Sequence, residues 1–198
     1  MPKSRKKEDI KKQLLEQGIK MFVNKGYHGT GIQELVDGVG IPKGSFYNYF
    51  ESKEDFGSAA IETYSEKFKA FLEKMLEDSK KNGYLAIKKS FNEVIKIYED
   101  KSCREGCFLG NMAAEICDSS ELVRNSISSC VNQWSDIIKK IILNGQKQKT
   151  IRNDIKADKI ADFMLNSIEG SLLRMKMESS IKPLLQLKDL FLDYISPE

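Results

Sequence analysis

Between residues 8 and 25, apolar side chains recur at Ile10, Leu14, Leu15, Ile19, Phe22 and Val23, a stripe at helical spacing that Gly26 ends. Thr30-Gly-Ile-Gln33 has the form of a capping box, in which Thr30 accepts from a first-turn amide and Gln33 reaches back. A short helix through Glu34, Leu35 and Val36 is then expected to stop near Gly38–Gly40. Pro42 follows at a first helical position, where its missing N–H costs nothing, and a third helix should run from Lys43 to Phe50. Phe46 and Phe50, four apart, share a face and should pack back on the first helix. Downstream, helices are expected over 52–80, 84–99, 101–119, 120–147, 156–179 and 183–195, with breaks at Gly83 and Pro183. The four prolines, at 2, 42, 183 and 197, leave most of the interior free to be helical. The pattern describes an all-α chain: a three-helix head over 1–51 and a six-helix body over 52–198.

A helix, a glycine-containing turn and a second short helix make a helix-turn-helix, whose second helix is slim enough to enter the major groove of DNA. Here that helix reads PKGSFYNYF. Lys43 brings charge, Gly44 lets backbone approach a phosphate, and Ser45 and Asn48 can hydrogen-bond base edges. The hydroxyls of Tyr47 and Tyr49 suit phosphate oxygens. The competing reading makes every aromatic of this helix part of the core.

Charge sharpens the division of labour. The chain carries only +3, but residues 1–50 hold nine lysines or arginines against five acids. Lys3, Arg5, Lys6, Lys7, Lys11 and Lys12 form a basic arm that suits a polyanion. The other reading of this arm is a solvated terminus. No stretch approaches the roughly 18–20 apolar residues of a membrane span, and no apolar run follows the basic start as in a secretory signal. A cytoplasmic protein is expected. The cysteines at 103, 107, 117 and 130 form no C-x-x-C pair, and His28 stands alone, so free thiols are expected and no metal or cofactor. With no Ser/His/Asp set, no phosphate-binding glycine loop and no paired catalytic carboxylates, an enzyme is not expected.

Residues 26–54 read G-Y-x-x-T-x-I-x-E-L-V-x-x-V-G-I-P-K-G-S-F-Y-N-Y-F-x-S-K-E and strongly resemble the N-terminal signature of TetR-family transcriptional regulators. The resemblance implies a homodimeric repressor whose two heads occupy successive major grooves of a palindromic operator in double-stranded DNA. By position it makes Thr30 and Gly31 the cap of the second helix, facing phosphate. It makes Lys43, Gly44, Ser45, Tyr47, Asn48 and Tyr49 the reading helix and sets Lys53 on backbone phosphate. It also assigns the last two helices, about 156–195, to the dimer interface. There Ile160, Phe163, Met164, Ser167, Ile168, Ser171 and Leu172 line one stripe, Gly170 allows close approach, and Asp162 and Glu169 flank it as rim.

A second stretch, Glu105 to Arg124, resembles the G-C-L-x-x-x-x-A-E-x-x-D-x-S-E-x-x-R pattern of a TetR branch that includes repressors of NemR and AcuR type. Cys107 holds the cysteine position of that pattern, which in the NemR type senses electrophiles and oxidants. The residues give a separate argument: Cys107 is expected in the first turn of a helix, where the macrodipole favours a thiolate, three residues after Arg104. Cys103, four residues earlier, is expected on the same helix, which does not hold such a pair at disulfide geometry. Lys176 is a second sensor candidate, since NemR-type repressors resemble this chain in having a lysine ahead of a similar x-P-L turn. The alternatives are release by a small apolar ligand held among Phe91, Ile95, Met112, Trp134 and Ile138, with the cysteines incidental, or a helical interaction module without specific DNA binding.

Overall fold

The computed structural model describes residues 3–197, and for residues 3–6 the helix but not the side chains. The side chains of Lys3, Arg5 and Lys6 in the basic arm therefore lie outside the described residues. All regular structure among the described residues is helical: α1 (Lys3–Lys25), α2 (Ile32–Asp37), a 3-10 helix (Lys43–Asn48), α3 (Lys53–Ser79), α4 (Gly83–Asp100), α5 (Phe108–Ile116), α6 (Glu121–Lys147), α7 (Ala157–Glu178) and α8 (Lys182–Ile195). Among the described residues no helix is long and apolar enough to cross a membrane. Packing divides the chain into two compact units. One comprises the described residues up to Glu66 with Phe108–Cys130; the other comprises Lys67–Cys107 with the described residues from Val131 onward.

In the first unit the stripe of α1 packs as its spacing requires: Leu14, Leu15 and Phe22 are buried, and Ile10, Ile19 and Val23 half-buried. Phe56, at the start of α3, is the hub of an aromatic cluster with ring centroids 5.7 Å from Phe22, 5.6 Å from Phe46 and 4.9 Å from Phe50. A Cβ on Gly18 of α1 would stand 2.2 Å from the Phe56 ring, so the glycine makes room for that hub. Phe46 and Phe50 thus turn inward as expected, but they meet Phe56 of α3 directly. The ammonium of Lys11 lies 5.5 Å over the Phe50 ring.

Two local expectations are corrected. Thr30 is no cap: Gly31 stands at the N-cap of α2 with no side-chain bond, Thr30 Oγ donates to Gly26 O at 2.8 Å, and Gln33 Nε2 donates to Asp37. Thr30 is buried, and a turn carbonyl competes successfully for its hydroxyl. The third helix is 3-10 rather than α, with Pro42 at its N-cap and i→i+3 bonds from Ser45 N–H to Pro42 O and from Tyr49 N–H to Phe46 O. So short a segment gains little from α-helical propagation.

The second unit holds most of the body. The break expected at Gly83 falls at residues 80–82, and Gly83 itself opens α4 behind an Asn82 cap. A Cβ there would stand 2.5 Å from Gly145 Cα, so two backbones touch. Gln148 closes this crossing by accepting from Gly83 N–H and donating to the carbonyls of Ser79 and Lys80. α8 packs on α7 and α4, with Phe191 5.6 Å from Phe91. The stripe predicted for α7 faces inward in its own protomer: Ile160, Met164 and Leu172 are buried. On α7 and α8 the apolar residues left exposed are Phe163 of that stripe, Leu173, Met177 and Leu190, at 46, 60, 75 and 71%.

Candidate functional site: a helix-turn-helix head and a thiol–carboxyl pair

The turn from α1 into α2 is held from outside itself. His28 N–H donates to Glu115 Oε2 at 3.0 Å, and His28 Nε2 lies 3.0 Å from the Glu115 carbonyl. Gly26 adopts φ +77°, and a Cβ on it would meet Glu115 Oε1 at 2.4 Å, so only glycine admits the carboxylate. Lys53 Nζ donates to Tyr27 O at 2.6 Å and sits 4.3 Å over the Tyr27 ring. Burial pushes the Lys53 ammonium below its ordinary pKa, with Glu115 pulling it back. Burial, aided by Glu54, pushes the Tyr27 phenol up to about 12. None of Tyr27, His28 and Glu115 was singled out from sequence as a site. Their signal was present: Glu115 is the acid of the A-E pair in the second motif, and His28 is the only histidine.

On this held turn the reading segment presents Lys43, Gly44, Tyr47 and Asn48 exposed, Tyr47 at 57%. A Cβ on Gly31 or on Gly44 would meet nothing, so neither glycine is required by packing. Ser45 is half-buried, and Tyr49 is half-buried with Lys7 Nζ 5.9 Å from its ring centroid. Aromatics therefore divide by side: Phe46 and Phe50 anchor, while Tyr47 projects outward.

The cysteine region differs from the expected helix. Residues 101–107 form a loop, and Cys107 lies one residue before α5 rather than in its first turn. Cys103 is buried at φ +56°, beside Ser102 at φ +55°. Cys103 belongs to an apolar cluster with Ile95, Leu172, Met175 and Leu184, against which half-buried Cys107 packs. Cys107 hydrogen-bonds the Glu169 carboxyl on α7, and desolvation pushes that carboxyl above the usual carboxylate range. Glu169, expected as a rim residue, is exposed and is also a partner of the thiol. Lys176 is exposed on α7, two turns beyond Glu169. All four cysteines are free; burial pushes the Cys130 thiol up, and Cys117 is half-buried. Among the described residues no group of side chains could hold a metal ion. Phe91, Ile95, Met112, Trp134 and Ile138 are all buried.

A helix-turn-helix head with an exposed polar reading segment is the arrangement of a DNA-binding transcriptional regulator. The chain belongs to the TetR family of bacterial regulatory proteins, whose N-terminal model matches residues 14–60 and whose tetracycline-repressor-like C-terminal model matches residues 83–191. It is 31% identical to the transcriptional repressor DhaR of Mycobacterium sp. (strain GP1), over 95% of this chain and 93% of that one. To the repressor NemR of Escherichia coli K12 it is 26% identical over 89% of this chain and 88% of NemR. The crystal structure of reduced E. coli NemR shares the fold, with a TM-score of 0.86 at 23% identity over 95% of this chain and 98% of that one.

Proposed function

We propose that the chain is a cytoplasmic homodimeric repressor that holds a palindromic operator and is released when Cys107 is modified by an electrophile or oxidant. Functionally the division is a reading head, 1–51, and a regulatory and dimerisation body, 52–198. Lys43, Tyr47 and Tyr49 contact phosphates, and Ser45 and Asn48 read base edges. Gly31 and Gly44 leave room for the DNA backbone, and Thr30 shapes the turn that faces it. Lys53 keeps two ammonium protons for a phosphate after the one given to Tyr27 O. The exposed apolar residues of α7 and α8 supply the surface that a partner protomer covers.

The observation that carries the sensor reading is the hydrogen bond between Cys107 and Glu169. A thiol with a carboxyl whose proton affinity is raised by burial has a base to take its proton as it attacks, as an activated nucleophile needs. α5 begins one residue after Cys107, and its Glu115 grips the turn of the head. A shift at its first turn is thereby passed to the head, where a change in head spacing breaks the match to half-sites about 34–36 Å apart. Lys176, on the face of α7 that carries Glu169, is the cation available to a modified sulfur.

A gel shift on the DNA upstream of its own gene, across a salt series, tests the first half. Specific binding survives competitor DNA and weakens steeply with salt. Treatment with a maleimide tests the second: Cys107→Ser protein should keep its operator, and release equal to wild type sinks the thiol reading. A second reading has one observation behind it. Among the described residues, Trp134 Nε1 is a buried donor without an acceptor, 6% exposed and with its ring 4.4 Å from Phe68. A reversible ligand bearing a hydrogen-bond acceptor would complete it.

A further inference from the structure

We propose that Cys103 is the resolving cysteine of Cys107, so that oxidation closes a disulfide within the loop joining α4 to α5. The inference rests on Cys107 being the modified thiol and adds what happens to it next. On a continuous helix the two sulfurs would be kept from bonding, but α4 ends at Asp100 and α5 starts at Phe108. No helix has to unwind. A disulfide asks for Cα atoms about 4.4–6.8 Å apart, and four extended steps span at most about 14 Å, so bending the loop suffices.

Both sulfurs sit at one apolar cluster. Cys103 is inside it, with Ile95, Leu172, Met175 and Leu184, and Cys107 packs against it. Cys103 is sheltered and Cys107 half-open, the order needed for one sulfur to meet the oxidant and the other to follow. The loop is also primed. Ser102 and Cys103 are consecutive non-glycine residues in the left-handed region, which L side chains disfavour. The Ser102 and Cys103 amides bond back to Glu99 and Tyr98 of α4, while Lys101 pairs with Glu105 inside the loop.

The chemistry balances with a hydroperoxide as oxidant. The Cys107 thiolate attacks the outer peroxide oxygen; the O–O bond breaks, and the departing alkoxide or hydroxide takes up the thiol's proton. Sulfur, oxidised by two electrons, is left as sulfenic acid. The Cys103 thiolate then attacks Cys107 Sγ, the S–S bond forms, and hydroxide leaves and becomes water with the Cys103 proton. Glu169 can hold and return those protons at its carboxyl, the group bonded to Cys107. Closing the loop draws in the residue directly ahead of α5.

The sequence supplies a direct readout, because Arg104 lies between the two cysteines. Full-length protein is treated with hydrogen peroxide, its remaining thiols are alkylated, and it is digested with trypsin without reductant. Mass spectrometry should find residues 102–104 joined to residues 105–124, two hydrogens lighter, with fragmentation placing the link at Cys107 rather than Cys117. In Cys103→Ser, and in Cys103→Ala if serine destabilises the cluster, Cys107 should pass on to sulfinic acid. Recovery of operator binding by dithiothreitol should then fall several-fold. A Cys107 sulfenic or sulfinic acid beside a still alkylatable Cys103 in wild type overturns this inference and leaves the sensor intact. A link from Cys103 to any other cysteine also overturns it. An unmodified Cys107 removes the reading beneath both.

Discussion

Between α1 and α2, Tyr27 and His28 are held by bonds from outside the turn, and Thr30 by a buried bond back to Gly26. Glu115 holds His28 twice and fills the space over Gly26, Lys53 holds the Tyr27 carbonyl, and Thr30 is buried against Gly26 O. Between α4 and α5 the amides of Ser102, Cys103 and Arg104 bond only to the end of α4 or to the loop itself. There, left-handed conformations fall on Ser102 and Cys103 instead of glycine. A positive φ is free at Gly26 and strained at Ser102. On the proposed function, the first connection presents a reading segment in one position and the second moves when Cys107 is modified.

The largest way to break this contrast is Gly26→Ala. It adds the left-handed penalty to a Cβ placed against Glu115 Oε1, about 2 kcal/mol together, or roughly 4–8 °C of Tm. In a Glu115→Ala background the clash disappears, so calorimetry on the double mutant should recover part of the loss; strict additivity would mean the two residues do not meet.

Alkali probes the same turn. The Tyr27 phenol is raised to about 12, so the folded state keeps its proton where the unfolded chain loses it near the ordinary value of about 10. The contribution is fully present below pH ~10 and is lost as pH rises to about 12. Denaturant titrations of wild type and Tyr27→Phe should converge across that window, and parallel curves would contradict the burial cause.

At the other connection, Glu169→Gln keeps an acceptor for the thiol but cannot take its proton. Alkylation of Cys107 should slow about 100-fold, the low edge of general-base effects. A faster reaction would mean that the carboxylate only suppresses the thiolate. The smallest change is Ser102→Gly, which relieves a left-handed serine at the cost of added unfolded-state freedom. A gain of about 0.5 kcal/mol and a Tm higher by about 1–2 °C should follow, with operator binding unchanged.

The long helices were legible: α3, α4, α6, α7 and α8 lie within one residue of the ranges expected, and α1 ends where its stripe does, because long runs of helix-compatible residues and their breaks are recorded along one chain. Short elements were not. The 3-10 geometry of Lys43–Asn48 and the hydroxyl of Thr30 turning to Gly26 O were settled by neighbours that no local window contains. In the body the α7 pattern was read correctly as apolar, but most of it is buried within its own protomer; of that stripe Phe163 stays exposed, beside Leu173 and Met177, which the stripe did not include.

By itself the sequence determined the helical succession, the family signature of the head and the presence of a cysteine at 107. All of these are carried by residue identity and by spacing along one chain. Tertiary structure decided which acid meets which loop: Glu115, far along the chain, on the turn at His28, and Glu169 on Cys107. It also decided that Cys103 and Cys107 lie in a loop rather than on one helix. Hydrogen bonds and burial across such separations depend on how helices pack, and packing is a property of the whole set of stripes rather than of any one of them.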